Sequence, residues 1–133
     1  PWLMNLLPEG APLRALSRAL GASAEDVLVL ISASGGDLAG ALSMRAPAGP
    51  ARIEPVGGAA ALERILNELP AKPFLIGQEG VAMSLAGAQE KLPVVFENGA
   101  FGIPVNGAAS THILKPDNAN LPGSVQNEAL CMQ

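Results

Sequence analysis

The sequence predicts an α+β fold, a helical amino-terminal part followed by a small antiparallel sheet. Three observations carry this. Leu13, Leu16 and Leu20 recur at helical spacing near the start, two apolar runs flank Asn98-Gly99 in the second half, and a further apolar run ends at Lys115 before Pro116. Asn-Gly between apolar runs is the strongest short hairpin signal, because both residues tolerate positive φ. With 133 residues, 49% of them apolar, the chain has the length of about one domain and can bury a core.

Taken in order, a loop containing Asn5-Leu6-Leu7-Pro8-Glu9-Gly10 leads to a helix that Pro12 suits at its start and Gly21 ends, with Arg14 and Arg18 opposite the leucine stripe. Ser23 and Asp26 resemble a capping box and predict a second helix over 24–34, stopped by Gly35-Gly36. Two helices joined by Gly-Ala-Ser also fit a helix-turn-helix. A recognition helix needs polar or basic side chains facing a groove, whereas this one opens with Glu25-Asp26 and continues as an apolar run, which favours a packed helical pair. Residues 37–45 read as a strand or extended segment, and 46–58, rich in Ala, Pro and Gly, as a loop and domain boundary. A short helix over 59–69 presents Leu62, Ile65, Leu66 and Leu69 on one face. Strands follow over 92–96, 101–105 and 111–115. Gly123-Ser124 then opens a last helix with Val125, Ala129, Leu130 and Met132 on its expected inner side.

The net charge of -4 and the absence of a Lys/Arg cluster exclude a general nucleic-acid surface, since nothing would displace counterions from phosphates. Cys131 stands alone, so no internal disulfide framework exists; its apolar neighbours predict a buried thiol. The longest apolar run, 27–31, is far too short to span a membrane, and a cytoplasmic protein is expected. Because the chain opens Pro1-Trp2 and stops at Gln133 inside a helical pattern, it is expected to be a truncated piece of a longer protein.

The chemistry concentrates late in the chain. From Pro73 onward the only Lys or Arg side chains are Lys91 and Lys115. The small residues before Lys91 would let backbone N–H groups approach phosphate oxygens. The spacing does not fit a Walker loop, since Lys91 is followed by Leu92. A kinase layout fits better: a glycine-containing loop by a hairpin, a strand lysine (Lys115) and a carboxylate on the next helix (Glu128). On spacing alone, an edge-strand lysine and a solvated helix glutamate remain the competing reading. His112, in a strand without ligand-spaced partners, is expected to be structural, and no metal site is expected.

Three blocks carry a resemblance: Ser84-Leu85-Ala86-Gly87-Ala88-Gln89-Glu90-Lys91, Ser110-Thr111-His112-Ile113-Leu114-Lys115-Pro116 and Asn127-Glu128-Ala129-Leu130-Cys131. They resemble the signature blocks of the HipA family of serine/threonine kinases, and Asn5–Gly10 and Gly40-Ala41-Leu42 resemble the segment that precedes the kinase lobe there. The resemblance implies a kinase-like N-lobe with Lys115 as the ATP-phosphate lysine, Glu128 orienting it, and Ala86, Gly87, Ala88, Gln89, Glu90 and Lys91 in the nucleotide loop. It also implies autophosphorylation at Ser84 as an off-switch, with Ala82 where some members carry a second serine; a loop-start or capping serine is the competing reading of Ser84. Catalytic and Mg2+-binding residues are expected beyond residue 133, so the chain alone is expected to be inactive.

The implied domains are 1–45, the end of a HipA-like amino-terminal subdomain; 46–78, a linker with one helix; and 79–133, the start of the N-lobe. The implied partners are a HipB-like antitoxin and a protein substrate such as an aminoacyl-tRNA synthetase, with no direct nucleic-acid or membrane binding. Two other readings stand beside this one. The piece could be a non-catalytic interaction module for a HipB-like antitoxin or another protomer, or a structural domain whose loop merely turns a corner.

Overall fold

The computed structural model describes residues 2–34, 38, 42–44, 46, 49–79, 81, 83, 85–118 and 120–133. Its described elements are α1 (Gly10–Leu20), α2 (Val27–Ser34), β1 (Arg52–Pro55), α3 (Ala59–Glu68), β2 (Leu92–Glu97), β3 (Ala100–Val105), β4 (His112–Leu114) and α4 (Ser124–Cys131), with 3-10 turns at Trp2–Leu6 and Pro73–Leu75. The fold is α+β, as the sequence predicts.

The first core is helical. Leu16 and Leu30 are fully buried beside Leu6, Leu7, Ile31 and Leu38. Gly21 ends α1 in the left-handed conformation. Its N–H donates to Arg18 O at 3.2 Å and that of Ala22 to Ser17 O at 3.0 Å, the paired bonds of a Schellman ending. The second helix starts three residues later than predicted. Ser23 Oγ accepts from Glu25 N–H at 3.2 Å and Ser23 O from Asp26 N–H at 3.1 Å, so Ser23 closes a turn of its own rather than capping the helix. Nor is α2 buried all round, because Leu28 is 64% exposed. The extended segment expected over 37–45 lies mostly outside the described residues; within it Leu38 is buried and donates to Leu42 O at 3.1 Å.

The second core lies under a four-stranded antiparallel sheet of order β1-β3-β2-β4. Leu69, Leu92, Val94, Ile103 and Val105 fill it, and Leu62, Ile65 and Leu66 of α3 pack against it. The predicted hairpin forms at Asn98 (φ 51) and Gly99 (φ 79). Its arms pair over Val95–Glu97 and Ala100–Gly102; beyond that, β2 runs along β4, with Leu92 opposite Leu114, and β3 along β1. Thr111 stitches β4 to its neighbour, its N–H reaching Val94 O at 2.9 Å and its Oγ1 accepting from Phe96 N–H at 3.0 Å.

Two sequence expectations are corrected here. The loop expected over 46–58 contains strand β1: Arg52-Ile53-Glu54-Pro55 finds its partner in β3, distant in sequence, and Val56 extends the contact by donating to Phe101 O at 2.9 Å. The last helix, α4, has no buried residue, and Leu130 and Met132 are 70% and 79% exposed, so the expected apolar inner face is not formed. Cys131 beside them is exposed, not buried.

The close approach of β1 to β3 depends on Gly102. A Cβ there would overlap Ile53 Cγ2 and press on Glu54 O at 3.2 Å. Gly102→Ala is therefore expected to destabilise the protein by about 1–3 kcal/mol, as overpacking does. Urea denaturation tests this; an unchanged midpoint would contradict it.

Candidate functional site

The site forms where the two cores meet. Pro8, buried just before α1, bridges in parallel to Gly87, and the Glu9 N–H donates to Gly87 O at 2.9 Å. This backbone bond ties the helical unit to the loop of Ala86, Gly87, Ala88, Gln89, Glu90 and Lys91. Gly87 holds φ at +108, a left-handed value that favours glycine. The Lys91 ammonium folds back to donate to Ala86 O, and a Cβ on Gly87 would stand 2.9 Å from its Nζ. The absent side chain leaves the tip of the lysine room to reach that carbonyl. Gln89, Glu90 and Lys91 also line a small cavity with Pro12, Leu69, Pro73 and Phe74.

Lys115 follows β4, and Glu128 lies one turn into α4 from Ser124. Their side chains form an ion pair, each about one-third exposed. Lys91 senses both: burial pushes its ammonium below the ordinary lysine range, Lys115 adds to that, and Glu128 and Glu9 oppose it. The fold thus gathers Lys91, Lys115 and Glu128 against one loop. Two ammonium groups stand here with the carboxylates of Glu128 and Glu9, and the ion pair with Glu128 keeps the Lys115 ammonium aimed.

Ser84 lies outside the described residues; its neighbours Met83 and Leu85 pack in the sheet core. His112 is exposed, with its Nδ1 2.8 Å from Thr111 Oγ1 and its ring edge-on to Phe96.

Sequence reasoning passed over two features. The bond from Glu9 to Gly87 involves main-chain atoms distant in sequence and has no side-chain signal. Asp117, one residue past Pro116, stands in no motif of the sequence, yet its Oδ2 accepts from Gly123 N–H at 2.9 Å and its Oδ1 from Ser124 Oγ at 2.8 Å and Val125 N–H at 3.3 Å. These bonds, led by that from Gly123, hold the Asp117 carboxyl below its ordinary 3.8, at about 2. The available signal was an acid shortly before a helix start, whose free N–H groups seek an acceptor.

This architecture, a small antiparallel sheet whose last strand delivers a lysine to a glutamate on the following helix, defines a kinase-like amino-terminal lobe joined to a helical unit. Comparison with known proteins makes the class particular. The family model described as HipA N-terminal domain matches residues 1–45. A putative kinase, Y4mE, of Sinorhizobium fredii is 41% identical over 145 residues, an alignment covering 100% of this chain and 34% of that protein. The serine/threonine-protein kinase toxin HipA of Shewanella oneidensis is 34% identical over 118 residues, covering 86% of this chain and 27% of that protein. Among solved structures, the complex of Shewanella oneidensis HipA, HipB and operator DNA superposes with a TM-score of 0.61 at 31% identity, over 88% of this chain and 28% of the matched chain. The chain is a segment of the HipA family and spans about a third or less of the length of the relatives it matches.

Because the folded-state pKa of Asp117 is depressed, the stability it confers is full above about pH 3.8 and is lost as the pH falls through about 2. The amide shifts of Gly123 and Val125, followed by NMR, are expected to titrate with a midpoint near 2. A midpoint at the ordinary 3.8 would contradict the hydrogen-bond assignment.

Proposed function

We propose that the chain supplies the ATP-phosphate grip of a HipA-like serine/threonine protein kinase toxin. The single observation that carries this reading is the ion pair between Lys115 and Glu128 across the junction of β4 and α4. Lys115 contacts the α and β phosphates, Glu128 orients it, and Lys91 with the 86–91 loop closes on the remaining phosphate oxygens. The donor set fits a triphosphate: two ammonium groups and a glycine-opened backbone. Mg2+ accompanies the nucleotide in such kinases, and the described residues include no group of three or more His, Cys, Asp or Glu side chains able to hold a metal ion. No helix among the described residues is long and apolar enough to cross a membrane.

In this reading residues 1–45 belong to the amino-terminal subdomain and 79–133 begin the nucleotide lobe. β1 and α3 of the intervening 46–78 pack into that lobe. The phosphoryl acceptor is a protein, such as an aminoacyl-tRNA synthetase. Ser84 is the autophosphorylation site: a phosphoserine there would bring roughly two negative charges to the cations that ATP requires. A HipB-like antitoxin is the proposed partner of the helical unit, a reading supported by the exposed Leu28 and Val29 of α2 and by the HipB present in the matched complex.

In the full-length protein, Lys115→Ala is expected to abolish ATP-dependent phosphorylation while leaving the thermal unfolding profile intact. Retained activity would remove Lys115 from the grip. Phosphopeptide mapping after incubation with Mg-ATP is expected to find phosphate on Ser84; equal labelling of Ser84→Ala would end that assignment. For the partner, Leu28→Asp is expected to weaken HipB-like antitoxin binding in a pull-down, and undiminished binding would move the contact elsewhere.

A further inference from the structure

We infer that Asp117 is a positioning residue that sets Glu128 opposite Lys115. The inference rests on the reading of that pair given above. None of the residues of α4 is buried, so apolar packing does not fix where this helix lies. An ion pair whose side chains are each about one-third exposed is weak by itself and cannot fix it either.

What remains is the clasp at the start of α4. Asp117 accepts from Gly123 N–H, Val125 N–H and Ser124 Oγ, and Ser124 Oγ accepts in turn from Asn118 N–H at 3.2 Å. Asn118 Oδ1 accepts from Asn120 N–H at 2.9 Å, tightening the same loop. The carboxylate sits two residues past Lys115 and gathers the first turn of the helix that carries Glu128. It thereby fixes both ends of the ion pair to one short piece of chain. Glu128 stands four residues above Ser124, about 6 Å along a helix, so a shift or fraying of the first turn is transmitted to its carboxylate. The low pKa of Asp117 keeps this clasp charged throughout the neutral range.

The test is made in the full-length protein. Asp117→Ala is expected to lower kcat for phosphorylation on the order of ten- to a hundredfold, the size of effect that small misplacements produce. Circular dichroism melts report whether the fold is retained. A double-mutant cycle separates positioning from general support: in a Glu128→Ala background, Asp117→Ala should add little further loss, whereas losses that multiply would overturn the inference.

A second readout does not depend on phosphorylation. The labelling rate of Lys115 by an amine-reactive acylating reagent, followed by mass spectrometry, should rise to a similar extent in Asp117→Ala and Glu128→Ala, because both release Lys115 from its carboxylate. Unchanged labelling in Asp117→Ala would overturn the inference. If Lys115→Ala leaves phosphorylation intact, the kinase reading fails while the labelling result still decides the role of Asp117. Should Asp117→Ala not fold, Ser124→Ala removes one bond of the clasp and is held to the same labelling criterion.

Discussion

The two-residue turn at Asn98-Gly99 is the constraint on which the sheet, and through it the site, depends. Both residues hold positive φ, and the turn fixes which residues of β2 and β3 face each other. Each arm then passes that register outward. On one side β3 receives β1 against Gly102, where only a glycine lets the strands approach; on the other, β2 receives β4, with Leu92 opposite Leu114. Lys115 is the next residue along. Its place beside the 86–91 loop is therefore inherited from a turn at the far end of the strands.

The two sides of the site are held by different physics. Lys115 follows the edge of a sheet backed by a buried apolar core of Leu92, Val94, Ile103 and Val105. The helix that carries Glu128 has no such backing and is held by hydrogen bonds and charge. Apolar burial is nondirectional and tolerant of small shifts, whereas a carboxylate accepting several N–H bonds specifies orientation. The lysine is thus placed by packing, and the glutamate that meets it is placed by polar geometry.

Much of the fold was legible because its signals are local. Leucine spacing gave α1, the 59–69 pattern gave α3, and Asn-Gly gave the hairpin. β1 was hidden because Arg52-Ile53-Glu54-Pro55 carries Ile53 between two charged residues in a stretch flanked by prolines and glycines, and its strand character comes from a partner about fifty residues away. The face of α4 was misread because Val125, Ala129, Leu130 and Met132 look like an inner stripe, while the helix is held at its first turn. The contact between Lys115 and Glu128 could be anticipated from the kinase layout. The contributions of Asp117 and Glu9 could not, since most of their partners are backbone groups whose positions exist only in the folded chain.

The bond from Glu9 N–H to Gly87 O joins segments separated by most of the chain and belongs to neither core alone. Contacts of such sequence separation carry a large closure entropy and reward the chain only after the local elements at each end are in place. The loop that receives Lys91 is therefore anchored to the helical unit as well as to the sheet, and its shape depends on both. Either one without the other leaves residues 86–91 without the bond that ties them to the start of α1.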